Sequence, residues 1–153
     1  MRLLILGIMT VPLGGQFLRL EIQLGEMSCA SCAESLPGRL KKIRGVERIE
    51  MDKPRALVRI ELAEGNRARL EQIRDFIQQD GTLLESARVK VRGAILKLED
   101  RWLLRPAGSE RTYELLFPAG QQPRAEGDFV GEGIFPDAKF ATMRLTSVSP
   151  APR

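Results

Sequence analysis

The chain has no histidine, only two cysteines, one tryptophan and one tyrosine in 153 residues. Without histidine there is no imidazole for acid–base work near neutral pH, nor for any metal site that depends on it. Two cysteines close at most one bridge, so the fold must stand on its core and not on a disulfide framework. Aromatic residues make up 5% of the chain against 43% apolar residues, which makes that core mainly aliphatic. No apolar run is long enough to span a bilayer. A dominant charge sign is also missing. Twenty-four Lys and Arg are interleaved with 20 Asp and Glu, and the net +4 falls short of a nucleic-acid footprint. Nothing in this inventory points to an enzyme, and the expectation is a binding protein.

The first residues allow two readings. Arg2 precedes an apolar run from Leu3 to Leu13, and Gly14 and Gly15 follow. That order resembles a secretory signal peptide, with cleavage before Gln16 and export to the periplasm. The run is short and Leu13 fits poorly beside the cut, so a plain extension over residues 1–16 of a cytoplasmic protein is the other reading.

From residue 17 the pattern becomes regular. Leu18, Leu20, Ile22 and Leu24 alternate with Arg19, Glu21 and Gln23, the signature of a half-buried strand. Ala33, Leu36, Leu40 and Ile43 recur at helical spacing, with Arg39, Lys41, Lys42 and Arg44 on the other face and Gly45 as the C-cap. Pro37 interrupts this stripe and predicts a kink or a late helix start. Val46, Ile49 and Met51, then a turn at residues 52–55, then residues 57–62 predict a hairpin. Asn66 is the expected N-cap of a second helix carrying Leu70, Ile73, Phe76 and Ile77. Gly81 stops it, and a strand through Ala87, Val89 and Val91 follows. The order β-α-β-β-α-β predicts a ferredoxin-like unit over residues 17–91.

The two cysteines lie between the first strand and the first helix, as Cys29-Ala30-Ser31-Cys32. Two thiolates at this spacing converge on one soft ion, and a helix N-terminus favours their negative charge. Taken alone, the spacing also fits a disulfide-closed loop or a dithiol–disulfide redox pair. Cu(I) or Hg(II) in a near-linear site suits two sulfurs, whereas Zn(II) wants four ligands.

The surroundings of the pair resemble the heavy-metal-associated domain family, the module of copper chaperones, of the N-terminal regions of copper-transporting ATPases and of periplasmic mercury-binding proteins. The matching residues are Gly25, Met27, Cys29, Cys32, Ala33, Leu36, Leu40 and Gly45-Val46. The resemblance implies that Cys29 and Cys32 are the metal ligands and that Met27 packs beneath the loop without ligating. It implies Cu(I), or another soft metal such as Hg(II), as cargo for carriage, delivery or detoxification. The implied partner is a metal-transferring protein with its own cysteine pair, such as a copper-transporting ATPase, and a metal-bridged dimer is a further form. Glu26 is an insertion relative to the family pattern. Thr82 stands where the family commonly has an aromatic residue or lysine, and Pro37 where it often has an acid.

Residues 92–148 change texture to short strands separated by Gly/Pro turns, with no helical stripe. They predict a small all-β domain, weakly resembling an OB-like barrel. The fold class expected for the whole chain is therefore α+β, with residues 149–153 as a disordered tail. Trp102 and Tyr113 are either core residues or base-stacking platforms, and the lack of basic–aromatic interleaving argues against nucleic acid. The basic stretch Arg39–Arg44 is either a solvated face or a dock for an acidic partner.

Overall fold

Period-two and period-3.6 patterning resolves into the order β1 (Phe17–Leu24), α1 (Ala30–Leu40), β2 (Val46–Asp52), β3 (Leu57–Leu62), α2 (Leu70–Gln78), β4 (Leu84–Leu98), β5 (Arg101–Pro106), β6 (Tyr113–Leu116), β7 (Gly127–Phe135) and β8 (Thr142–Pro150). The computed structural model describes residues 16–27 and 29–150. The expected leader or extension over residues 1–15, Ser28 and the last three residues of the expected tail lie outside the described residues.

The fold class is α+β, with two helices and one eight-stranded sheet in the order β2-β3-β1-β4-β5-β6-β8-β7. The first four of these strands are antiparallel neighbours and carry α1 and α2, the arrangement expected of a ferredoxin-like unit. β4 then does double duty. Along one edge it pairs first with β1, over residues 84–91, and then with β5, over residues 93–98. Along the other edge residues 87–95 pair with β7. The path β4-β5-β6-β8-β7 thus returns to β4 and closes a five-stranded ring, in which only β6 and β8 run parallel. β4 runs without a break through residues 91 and 92, where the domain boundary is expected.

Gly93 sits where β1 gives way to β5. A Cβ there would lie 2.4 Å from the Arg105 carbonyl oxygen and 2.8 Å from the Pro106 Cα, so the close approach of β5 requires glycine. One buried cluster runs through both halves of the chain. Phe17 of β1 meets Tyr113 of β6 edge-on at 6.2 Å between ring centroids. Tyr113 meets Phe135 at 5.2 Å, and Phe135 meets Phe140 at 5.4 Å.

Local expectations fail at four places, and at Pro37 one of two alternatives falls. β1 buries Phe17 and not Leu18, because a register shift between Phe17 and Arg19 inserts one residue and breaks the alternation. α1 starts at Ala30 and passes through Pro37, so the helix has no late start. Pro37 has no N–H for the Ala33 carbonyl, and the helix ends three residues later in turns closed by Lys41 N–H to Pro37 O and Ile43 N–H to Leu40 O. Gly45 lies beyond the C-cap Lys41, at φ +97° against Asn66. Asn66 does not cap α2, whose N-cap is Arg69. It is buried, and its amide donates to the carbonyls of Phe17 and Ala63, both at 2.8 Å, tying the loop before α2 to the start of β1. Ser149 and Pro150 are not tail but the end of β8, paired with Val130 and Phe129.

A shared strand and a shared core predict one cooperative unfolding transition. Both helices of the described residues lie in the N-terminal half, and Trp102, the only tryptophan, lies on β5. Helical circular dichroism and tryptophan fluorescence should therefore give coincident urea curves. Phe135→Ala should shift both together by about 3–5 kcal/mol; separated transitions would refute the shared core.

Candidate metal centre

The strand-to-helix loop is pinned at its start. Gly25 N–H donates to the Leu83 carbonyl at 2.9 Å, and Leu83 N–H donates to the Glu26 carbonyl at 3.2 Å, which extends the β1–β4 ladder beyond both strands. Met27 is half-buried and packs against the core, while Glu26 faces solvent. The loop can then turn outward over a fixed base.

Cys29 is the N-cap of α1, with extended backbone (φ −160°, ψ 158°). Its Sγ accepts the Cys32 N–H at 3.0 Å, a first-turn donor that also lies 3.2 Å from the Cys29 carbonyl oxygen. The Ser31 hydroxyl is 3.2 Å from the same sulfur. Cys29 is exposed and Cys32 half-buried. Their Cα atoms are 5.1 Å apart, and the two sulfurs are joined as a disulfide. The two residues singled out from the sequence are thus brought together in oxidised form. Among the described residues no three His, Cys, Asp or Glu side chains gather into a metal-holding group. The donor set available here is two sulfurs, the set that fits a soft ion of low coordination number.

The flanking residues differ from expectation. Arg39 does not belong to a free basic face. Its guanidinium is bonded to the Asp80 carboxylate, and both side chains are largely sheltered. Lys41, Lys42 and Arg44 remain exposed, at the opposite end of α1 from the cysteines. Thr82 is fully buried and serves Asp80, whose Oδ1 accepts the Thr82 N–H at 3.0 Å and its hydroxyl at 2.7 Å. The residue beside the metal loop is Leu83, 54% exposed, which sequence reasoning missed. Its signal was only its place before the first inward residue of β4. Trp102 and Tyr113 are buried, so neither offers a stacking face.

Burial pushes the Asp80 carboxyl up, but the two Thr82 hydrogen bonds and the Arg39 guanidinium outweigh it and hold the group below its ordinary value of 3.8. A depressed carboxylate contributes stability above the unfolded-state value, lost as pH falls through the folded-state value. Wild-type stability should therefore drop as pH falls below about 3.8, and Asp80→Asn should flatten that part of the profile in urea melts. An unchanged profile would remove Asp80 from the account. The disulfide closes so short a loop that its chain-entropy contribution is at most about 2 kcal/mol. The reduced chain should therefore stay folded, and both thiols should react with a thiol reagent without denaturant.

No family model and no curated protein matches the chain. Five solved chains match its structure. One is a yeast copper transporter domain, solved in solution in apo and Cu(I)-loaded states; it is 15% identical, covers 42% of this chain and 88% of its own, and has a TM-score of 0.38.

Proposed function

We propose that the reduced chain binds one soft metal ion, Cu(I) in the first place and Hg(II) as an alternative cargo, through the sulfurs of Cys29 and Cys32. The observation that carries this reading is the meeting of both sulfurs at an exposed helix N-terminus, with the Cys32 N–H aimed at Cys29 Sγ. That N–H and the helix dipole favour thiolate over thiol, and the thiolate is the form that binds metal. Loading takes two steps. A reducing dithiol gives two electrons and two protons to the disulfide, leaving as its own disulfide and the chain as two thiols, and the entering ion then displaces both protons. Two bonds to an exposed ion leave room for an incoming thiolate, which suits hand-over to a protein with its own cysteine pair, such as a copper-transporting ATPase, or a metal-bridged dimer as transient state.

The rest of the reading follows from this role. Residues 17–91 act as a heavy-metal-associated domain, and residues 92–148 as an OB-like barrel. The ring order β4-β5-β6-β8-β7 and its parallel β6–β8 pair support the barrel assignment. The chain is a carrier without catalytic residues, and export to the periplasm rests on the signal-like residues 1–15. No helix of the described residues is long and apolar enough to cross a membrane.

The disulfide itself favours a second reading, a dithiol–disulfide exchange factor using the same two residues. Titration of the reduced chain with Cu(I) against a competing soft chelator separates the two. Carriage predicts one ion per chain, with affinity lowered more than about 100-fold in Cys29→Ser and in Cys32→Ser, because losing a ligand costs more than losing a ligand's support. No copper binding, together with rapid reversible exchange with glutathione, would favour the redox factor.

A further inference from the structure

The far half of the chain presents a surface that the metal loop does not use. Along β4, β5, β6 and β8 the inward residues alternate with outward ones, and register lines the outward ones into rows. In one row Leu98 faces Arg101, and Leu116 faces Arg144 across β6 and β8. The β5–β6 pair Trp102–Leu115 sets Arg101 and Leu116 side by side next in register. In the next row Leu96 faces Leu103 and Leu103 faces Glu114; beyond it Ala94 faces Arg105. Leu98 and Leu116 are 53% and 48% exposed, and Arg101, Arg105 and Arg144 are exposed as well. None of these three arginines makes an ion pair among the described residues, and Glu114 is the one carboxylate that β4, β5, β6 and β8 place in the rows, with Asp128 of β7 on the far side of Ala94. At about 4.8 Å between strands, four strands make a patch about 15 Å wide.

Half-exposed leucines set side by side and rimmed by arginines make the kind of surface that marks an interaction site. A polypeptide segment supplying carboxylates to the arginines and aliphatic side chains to the leucines would satisfy both. Nucleic acid fits less well, because single strands bind on exposed aromatic rings, and Trp102 and Tyr113 point inward. We propose that this outer face of the β5–β6–β8 strands docks an acidic polypeptide segment bearing aliphatic side chains. It lies about 40 Å of strand farther along β4 than the end beside the metal loop. A partner held here leaves Cys29 and Cys32 free to exchange their ion.

The test uses the full chain and a fluorescein-labelled peptide of alternating glutamate and leucine, followed by anisotropy. Saturable binding is expected, falling as salt rises and weakened about tenfold by Arg101→Glu with Arg144→Glu. Leu98→Ser with Leu116→Ser should weaken it as well, while Lys41→Glu with Lys42→Glu leaves it unchanged. Circular dichroism checks that each variant folds; if a variant does not, the salt dependence of the wild-type chain decides. The proposal is overturned if binding is insensitive to salt and to the arginine reversals, or if a lysine–leucine peptide of equal length binds as well. It is equally overturned if labelled oligothymidylate or anionic vesicles bind and the acidic peptide does not. Sedimentation showing self-association through this face, lost in the leucine variant, would assign it to a second copy instead.

Discussion

The constraint on which the structure depends is that β4 is paired along both edges for most of its length. A strand of 15 residues that gave one edge to β1 alone would leave nearly half of that edge and its whole outer edge open, as a template for aggregation. β5 takes over the first edge beyond Gly93, and β7 covers the second. The helical half and the all-β half therefore share a strand, and the aromatic chain from Phe17 to Phe140 gives them a common interior. The hydrogen bonds of Asn66 to Phe17 and Ala63 complete the joint from the helical side. Its consequence for function is mechanical. The metal loop hangs from the β1–β4 end of this frame, so its base moves only if the frame does.

Above that base the chemistry is local. Cys29 is both cap and candidate ligand, and the capping bond from Cys32 N–H is worth more to a thiolate than to a neutral sulfur. The same exposure that lets a metal donor reach Cys29 lets an oxidant reach it. In the proposed role, oxidation and metal loading exclude each other because both draw on the two thiolates, and the disulfide would be the state without cargo. The Arg39–Asp80–Thr82 cluster stands behind the loop as structure: it anchors the turn whose next residue, Leu83, pairs with Gly25 and Glu26.

What was legible in the sequence was whatever had a short period. The alternation of Leu20, Ile22 and Leu24 and the helical stripes Ala33-Leu36-Leu40 and Leu70-Ile73-Ile77 name the inward residues directly. The cysteine spacing named the candidate site, whose two sulfurs the structure brings together. The misses share one cause, a partner far away in the chain. Phe17 turns inward because β4 imposes a bulge, and Asn66 bonds across to β1 instead of capping the helix after it. Arg39 finds Asp80 41 residues on, and Ser149 and Pro150 are ordered by β7. Nothing in the composition of β4 says that both of its edges are used.

The central claim is that two sulfurs from one loop hold the ion, with no other ligand from the chain. X-ray absorption at the copper edge of the reduced, Cu(I)-loaded chain tests it most directly. The account predicts a first shell of two sulfur scatterers and no nitrogen or oxygen, and copper lost from the double variant Cys29→Ser with Cys32→Ser. A shell dominated by nitrogen or oxygen, or copper retained by that variant, would contradict it.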